Sequence, residues 1–257
     1  MLKLNHRVLG NGPPMVMLHG LFGSMENLGG IARLLTDHFE LHMLDLRNHG
    51  RSPHHPQMNY ACMAEDVYHY MQSAGIERAH VLGHSMGGKT AMQLALAYPE
   101  RMDHVIVADI APVQYPPHHD GILKGLSLID TSSLQSRQQA DELLKPYVEE
   151  IPIRQFLLKN LVKQGAGGFQ WRMNLDVINS QYQQIMAGQS STQPFTGPLL
   201  FIKGGKSDYI QPQHREHTAR LFPNAEVKII PNTGHWLHAE KPELFTRVVK
   251  RFLQVED

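Results

Sequence analysis

Cysteine is almost missing from this sequence. Cys62 is the only one in 257 residues, so no disulfide can close within the chain, and a lone thiol fits a reducing compartment. An excess of one charge is missing too. Lys+Arg and Asp+Glu both number 24, and no basic stripe with interleaved aromatics stands out, which argues against nucleic acid or an anionic membrane surface as partner. No run is long and apolar enough to span a bilayer. The opening residues Met1-Leu2-Lys3-Leu4-Asn5-His6-Arg7 lack the apolar core of a signal peptide. The expectation is a cytoplasmic protein with no membrane span, monomeric or homodimeric, acting on a small molecule.

What is present is an alternation. Hydrophobic residues make up 42% and charged residues 19%, ordinary for a packed globular chain of one large domain. Short apolar runs suggest strands at Pro14–His19, Leu41–Leu46, His80–Gly83, Val105–Asp109, Leu199–Lys203 and Val227–Pro231. Between them, amphipathic stretches predict helices at Asn27–Leu35, Tyr60–Ser73, Met86–Tyr98, Gln213–Leu221 and Pro242–Leu253. Alternating strands and helices imply a mostly parallel sheet flanked by helices. Continuous runs such as Met15-Val16-Met17-Leu18 read as strands buried on both faces. The rhythm breaks between Pro112 and Pro198. That stretch shows helical periodicity at Ile122–Ile129, Arg137–Val148, Ile153–Val162 and Asn174–Met186 and no parallel strand, with turn chemistry at Pro116-Pro117, Gly165-Ala166-Gly167-Gly168 and Ser190-Ser191. Residues 1–111 and 198–257 therefore form an α/β core, and 112–197 a helical insertion over the sheet's carboxyl edge.

Three loops carry chemistry. Gly83-His84-Ser85-Met86-Gly87 fits Gly-x-Ser-x-Gly, and here it joins a strand to a helix, the setting of a nucleophile elbow. Ser85 would be thrust above the sheet at a helix N-terminus that favours a developing anion; the bland reading is a Gly/Ser helix cap without chemistry. His19-Gly20-Leu21-Phe22-Gly23 follows the first long strand. There the backbone N–H of Leu21, paired with that of Met86 after the serine, would form an oxyanion hole. Asn232-Thr233-Gly234-His235-Trp236 follows the last strand. His235 is the expected base, with His238 its rival in the same loop.

The acid admits two candidates. Asp109 ends the strand after the nucleophile helix, in an apolar run where an ionised carboxylate needs a partner. Asp208, after the strand Leu199–Lys203, stands one residue beyond the expected place, which Ser207 occupies. Asp109 is preferred, with Ser207 helping to hold the histidine. Asp45-Leu46-Arg47-Asn48-His49-Gly50-Arg51-Ser52 reads as a turn fixed by side-chain-to-backbone bonds. His54-His55 and His118-His119 lack metal-ligand spacing, so no metal is expected. Phe156, Leu157, Phe169 and Trp171 could line a pocket, although apolar helical residues are more often core. Cys62 reads as packing.

Taken together, Leu18–Ser24, Asp45–Gly50, Gly83–Lys89, Asp109–Pro112 and Gly234–Trp236 resemble the YbfF-type bacterial esterases and their mitochondrial α/β-hydrolase-domain relatives, from end to end. The resemblance implies the α/β-hydrolase fold, carboxylesterase or acyl-thioesterase activity on small esters or thioesters, no organic cofactor, and a cap over the acyl pocket. It also implies a serine at the place of Ser207, which shifts the acid's role toward Asp109. The same residues could serve a cofactor-free haloperoxidase or a carbon–carbon bond hydrolase, or survive in a non-catalytic ligand receptor on the same scaffold.

Overall fold

The computed structural model describes residues 2–165 and 167–255. Of the expected Gly165–Gly168 turn, Ala166 lies outside the described residues, as do Met1 and, from the core's second segment, Glu256 and Asp257. In chain order the strands are β1 (His6–Leu9), β2 (Pro14–Leu18), β3 (Glu40–Leu44), β4 (Ala79–His84), β5 (Met102–Ala108), β6 (Leu161–Lys163), β7 (Phe169–Trp171), β8 (Leu199–Gly204) and β9 (Ala225–Ile230). The α-helices are α1 (Gly29–Arg33), α2 (Tyr60–Ser73), α3 (Met86–Ala97), α4 (Asp120–Ser127), α5 (Arg137–Leu144), α6 (Ile151–Leu158), α7 (Leu175–Ser180), α8 (Tyr182–Met186), α9 (Arg215–Leu221), α10 (Leu237–Glu240) and α11 (Pro242–Phe252).

Seven strands form one sheet in the order β1-β3-β2-β4-β5-β8-β9. Every neighbouring pair is parallel except β1 with β3. Met15, Val16, Met17 and Leu18 are buried without exposure, as a run covered on both faces requires. On one face α2 and α3 pack with the insertion; on the other, α1 and α11 close the core. In α11, Pro242 opens the helix, and Phe245 and Val249, one turn apart, point inward. The chain order reverses between β2 and β4. In an open parallel sheet that reversal leaves a crevice at the carboxyl ends of the two strands, and ligands bind there.

Between β5 and β8 lie five helices and the antiparallel β6–β7 hairpin. The helix expected over Ile153–Val162 stops at Leu158, because the Asn160 amide turns back to donate to the Leu157 carbonyl (3.1 Å) and the Phe22 carbonyl (2.7 Å), and Leu161–Lys163 then pairs with Phe169–Trp171. The two roots of this insertion run side by side: Tyr115 N–H donates to the Met186 carbonyl and Gln189 N–H to the Pro112 carbonyl, both at 3.0 Å. Lys89, buried on α3, ties them down. Its Nζ donates to the carbonyls of Val113 (2.7 Å) and Ala187 (2.6 Å), and burial pulls its ammonium down to about 7.

The Asp45–Ser52 loop is knitted as the sequence suggests. Asp45 accepts the backbone N–H groups of Met25 (2.8 Å) and Arg51 (2.9 Å), and a Cβ on Gly50 would lie 2.1 Å from its carboxyl carbon. Arg47 turns inward, pairing with Asp66 at 2.6 Å and donating to the carbonyls of Gln57 and Cys62. His49 donates through Nδ1 to the Arg47 carbonyl (3.0 Å) and accepts Phe22 N–H on Nε2 (3.2 Å). One neutral ring thereby bridges two loops.

Two outcomes test this packing. Arg47→Met strands the buried Asp66 carboxylate and should cost about 3–5 kcal/mol of unfolding free energy, read from the urea midpoint. The second concerns acid. Burial holds His49 down at about 3 against its ordinary 6.5, so below pH 6.5 the unfolded chain binds a proton that the folded chain refuses. Stability present above pH 6.5 should fall as the pH drops toward 3. From pH 7 to 5 His49→Gln should remove about 2 kcal/mol of that decline.

Candidate active site

The turn from β4 into α3 leaves no room for side chains beside the serine. A Cβ on Gly83 would lie 2.1 Å from the Gly87 carbonyl oxygen, and one on Gly87 would lie 2.3 Å from that of Leu18. Ser85 itself sits at φ 53°, ψ −118°, a strained conformation for a residue with a side chain, held by its N–H donating to the Ala108 carbonyl at 3.0 Å. Its hydroxyl caps no helix amide, so the bland helix-cap reading has no contact behind it. The hydroxyl opens instead on a cavity of about 630 Å³, at the positive end of a 12-residue helix.

The loop after β2 brings Leu21 to the same cavity wall. Phe22 stands at φ 60°, and the loop is pinned by Phe22 N–H on His49 and by His19, whose Nε2 accepts Leu46 N–H at 3.0 Å. Neither the Leu21 nor the Met86 backbone N–H has an acceptor among the described residues. Two amides beside one hydroxyl, both unpartnered, can bind an oxygen that becomes negative.

His235 reaches the cavity from the loop after β9. Its Nδ1–H donates to Oδ2 of Asp109 at 2.8 Å. Asp109 directly follows β5 at φ 54° and is completely buried. Its Oδ1 accepts Gly204 N–H at 2.8 Å, and the Ser207 hydroxyl donates to Oδ2. Asp208 points outward, accepting from the Gln211 amide at 3.0 Å, and makes no bond to His235. His238 makes no hydrogen bond to Asp109 among the described residues; its ring lies 4.3 Å from that of His84, and burial pushes it down to about 4. The His235 ring and Ser85 share the wall of the large cavity, with no hydrogen bond between them among the described residues; in unliganded enzymes such contacts often tighten only with substrate.

Two residues to which the sequence assigned no role shape this corner. His84 donates through Nε2 to the His235 carbonyl at 2.8 Å, so the residue before the serine fixes the backbone of the imidazole. Tyr209 stacks on the His235 ring, centroids 4.0 Å apart and planes at 25°, and its hydroxyl donates to His118 Nε2 at 2.7 Å. The aromatic two places after Ser207 was the available signal. Phe156 and Leu157 line the cavity, whereas Phe169 and Trp171 belong to the hairpin and do not. His118 and His119 also face it, His119 bonded to the Tyr182 hydroxyl at 2.8 Å.

Comparison with known proteins places the chain in a family. The profile of the α/β-hydrolase fold family matches residues 13–242. The chain is 40% identical over 244 residues to esterase YbfF of Escherichia coli, covering 95% of this chain and 94% of that protein. It is 41% identical over 249 residues to the mouse sn-1-specific diacylglycerol lipase ABHD11, covering 94% of this chain and 81% of the relative. Among solved structures, a marine microorganism esterase superposes with a TM-score of 0.96 at 39% identity, covering 98% of this chain and all of that one. The chain belongs to the α/β-hydrolase fold family and, within it, to the YbfF-type esterases and lipases.

Proposed function

We propose that the chain is a serine carboxylesterase that cleaves small acyl esters or acyl thioesters through a covalent acyl-enzyme. The observation that carries this reading is the 2.8 Å bond from His235 Nδ1 to the buried Asp109 carboxylate, made on the wall that Ser85 shares. The bond fixes which ring nitrogen holds the proton and leaves Nε2 as the base. Ser85 Oγ attacks the carbonyl carbon as its proton passes to His235 Nε2. The carbonyl oxygen takes the electron pair and is held by the Leu21 and Met86 N–H groups. When the tetrahedral centre collapses, the bond to the departing oxygen or sulfur breaks and that atom receives the proton from His235. Water, deprotonated by the same imidazole, then releases the acid from Ser85.

Asp109 acts as the acid in this scheme. Its burial has a cost that three donors offset, and the imidazolium formed in the reaction gains from the adjacent negative charge. Ser207 holds the carboxylate in place. Residues 112–197 act as a cap, since Ile122, Ile153, Phe156 and Leu157 line the cavity and shield the bound ester from bulk solvent. Names borne by the relatives, an esterase and a diacylglycerol lipase, support ester substrates.

Fluorophosphonate labelling of folded protein should give one adduct, on Ser85, and Ser85→Ala should abolish it; an unlabelled folded protein would point to a non-catalytic ligand receptor. Asp109→Asn should lower kcat by about 10³–10⁴, since the wrong tautomer is then held. Asp208→Asn should stay within about twofold of the parent, in keeping with a surface substitution. The reverse ranking moves the acid to Asp208.

A further inference from the structure

Among the described residues nothing continues the sheet beyond β9, which is hydrogen-bonded to β8 alone. Glu226, Val227, Lys228 and Ile229 are all exposed, and Val227 and Ile229 stand in solvent at 53% and 62%, unusual for apolar residues of a strand. Alternation puts those two on one face and Glu226 and Lys228 on the other, where Lys228 Nζ lies 3.8 Å from a Glu226 carboxylate oxygen. The backbone alternates too. The Ile230 carbonyl accepts Gly205 N–H at the end of β8 (2.9 Å), so the N–H and C=O groups of Lys228 and Glu226, in phase with Ile230, also face β8. Those of Val227 and Ile229 face outward, and no hydrogen bond from outside the sheet reaches them among the described residues.

Such an edge is a template for another strand, and charged side chains ordinarily deter one. Here the order of the charges selects a partner. Two copies of β9 running antiparallel about a two-fold axis through Val227 set Glu226 of each copy opposite Lys228 of the other. These fall in the non-hydrogen-bonded pairs of the ladder, where side chains approach most closely. The outward-facing residues fall in the hydrogen-bonded pairs. Val227 exchanges both bonds with Val227 of the second copy, and Ile229 N–H donates to the Ala225 carbonyl, whose own N–H is already held by the Phe222 carbonyl at 3.1 Å. The exposed apolar face closes in the same step, Val227 against Val227 and Ile229 against Ala225.

Other registers lose this match. An axis at Glu226 or at Lys228 brings like charges face to face. An axis at Ala225 or at Ile229 places Val227 opposite Pro223 or Pro231, neither of which has an N–H to give. The sheet's other edge, β1, carries His6 and Arg7 and no carboxylate, so it cannot complement itself in this way.

We propose that β9 is a homodimer interface: a second copy of this chain pairs with it about a two-fold axis, and the two sheets join into one.

Sedimentation velocity over a dilution series tests the assignment. The parent should pass from a two-chain to a one-chain species on dilution. Glu226→Lys alone, or Lys228→Glu alone, sets like charges opposite each other at both symmetric positions and should weaken self-association about tenfold or more. The double reversal Glu226→Lys/Lys228→Glu should recover the parent's dissociation constant, and an equimolar mixture of the two single variants should associate as tightly as the parent. Both positions are exposed, so each variant should keep the parent's urea midpoint. Should a reversal disturb folding, Val227→Asp takes its place: on the axis it meets its own copy and should abolish the dimer. A parent that stays one chain at every concentration, a dimer indifferent to a single reversal or to Val227→Asp, or a double reversal that fails to restore association overturns the proposal. None of these outcomes bears on the esterase reading, which fluorophosphonate labelling tests separately.

Discussion

The buried carboxylate of Asp109 is the constraint around which the two halves of the chain are joined. A carboxylate removed from water is costly unless its oxygens are satisfied. All three donors that satisfy it come from chain lying beyond the insertion: Gly204 N–H at the end of β8, the Ser207 hydroxyl just after it, and His235 after β9. Asp109 stands three residues before that insertion begins at Pro112. The return of the chain to the sheet is thus fixed at one point by charge and hydrogen bonding, as well as by the apolar registry of β5 with β8. The same contacts that solve the desolvation problem also orient an imidazole toward the cavity.

Strain collects around the candidate site. Among the described residues six non-glycine residues have positive φ; five (Phe22, Asn48, Ser85, Asp109 and Asn232) lie in the loops at the carboxyl ends of the parallel strands, and Gln254 lies elsewhere. Each such conformation costs on the order of 1–3 kcal/mol unless its surroundings enforce it. Here they do. Ser85 is held by the Ala108 carbonyl, Asp109 N–H donates to the Ile202 carbonyl at 2.9 Å, and Asn48 accepts His55 N–H at 2.8 Å. The opposite edge of the sheet carries no such cluster among the described residues. A rigid, well-registered sheet supports the strain and presents it at the reversal of strand order.

Much of this was legible from residue types alone, because burial on both faces leaves a strong mark. The six parallel strands, the elbow and the carboxyl-end loops all follow from runs such as Met15–Leu18 and from glycines set against turns. What escaped did so for physical reasons. β1 is an edge strand whose residues His6, Arg7 and Val8 are exposed, so it has no apolar run to betray it. The β6–β7 hairpin is three residues a side, too short for its alternation to outweigh the helical periodicity of the preceding turn, and the helix end there is imposed by Asn160 reaching a carbonyl in a distant loop. Asp109 against Asp208 could be argued but not decided from spacing, since the deciding facts are which carboxylate is enclosed and which faces solvent.

Histidine was the hardest residue to read, for a reason the site makes plain. The chain holds 17 of them, and spacing singles out only those that fall in known loops. A buried neutral imidazole can donate with one nitrogen and accept with the other, which lets one side chain fasten two strand-end loops. His19 does this between the loops after β2 and β3, and His49 does it again. His84 goes further. Burial pushes it well below its ordinary range, and its Nε2–H holds the His235 carbonyl while its backbone leads directly into Ser85. Ser85 and the His235 imidazole, 150 positions apart by number, are thereby coupled through His84. Protonating such a ring would remove an acceptor or add a charge in a dry site, so the positioning of this loop cluster depends on imidazoles that stay neutral.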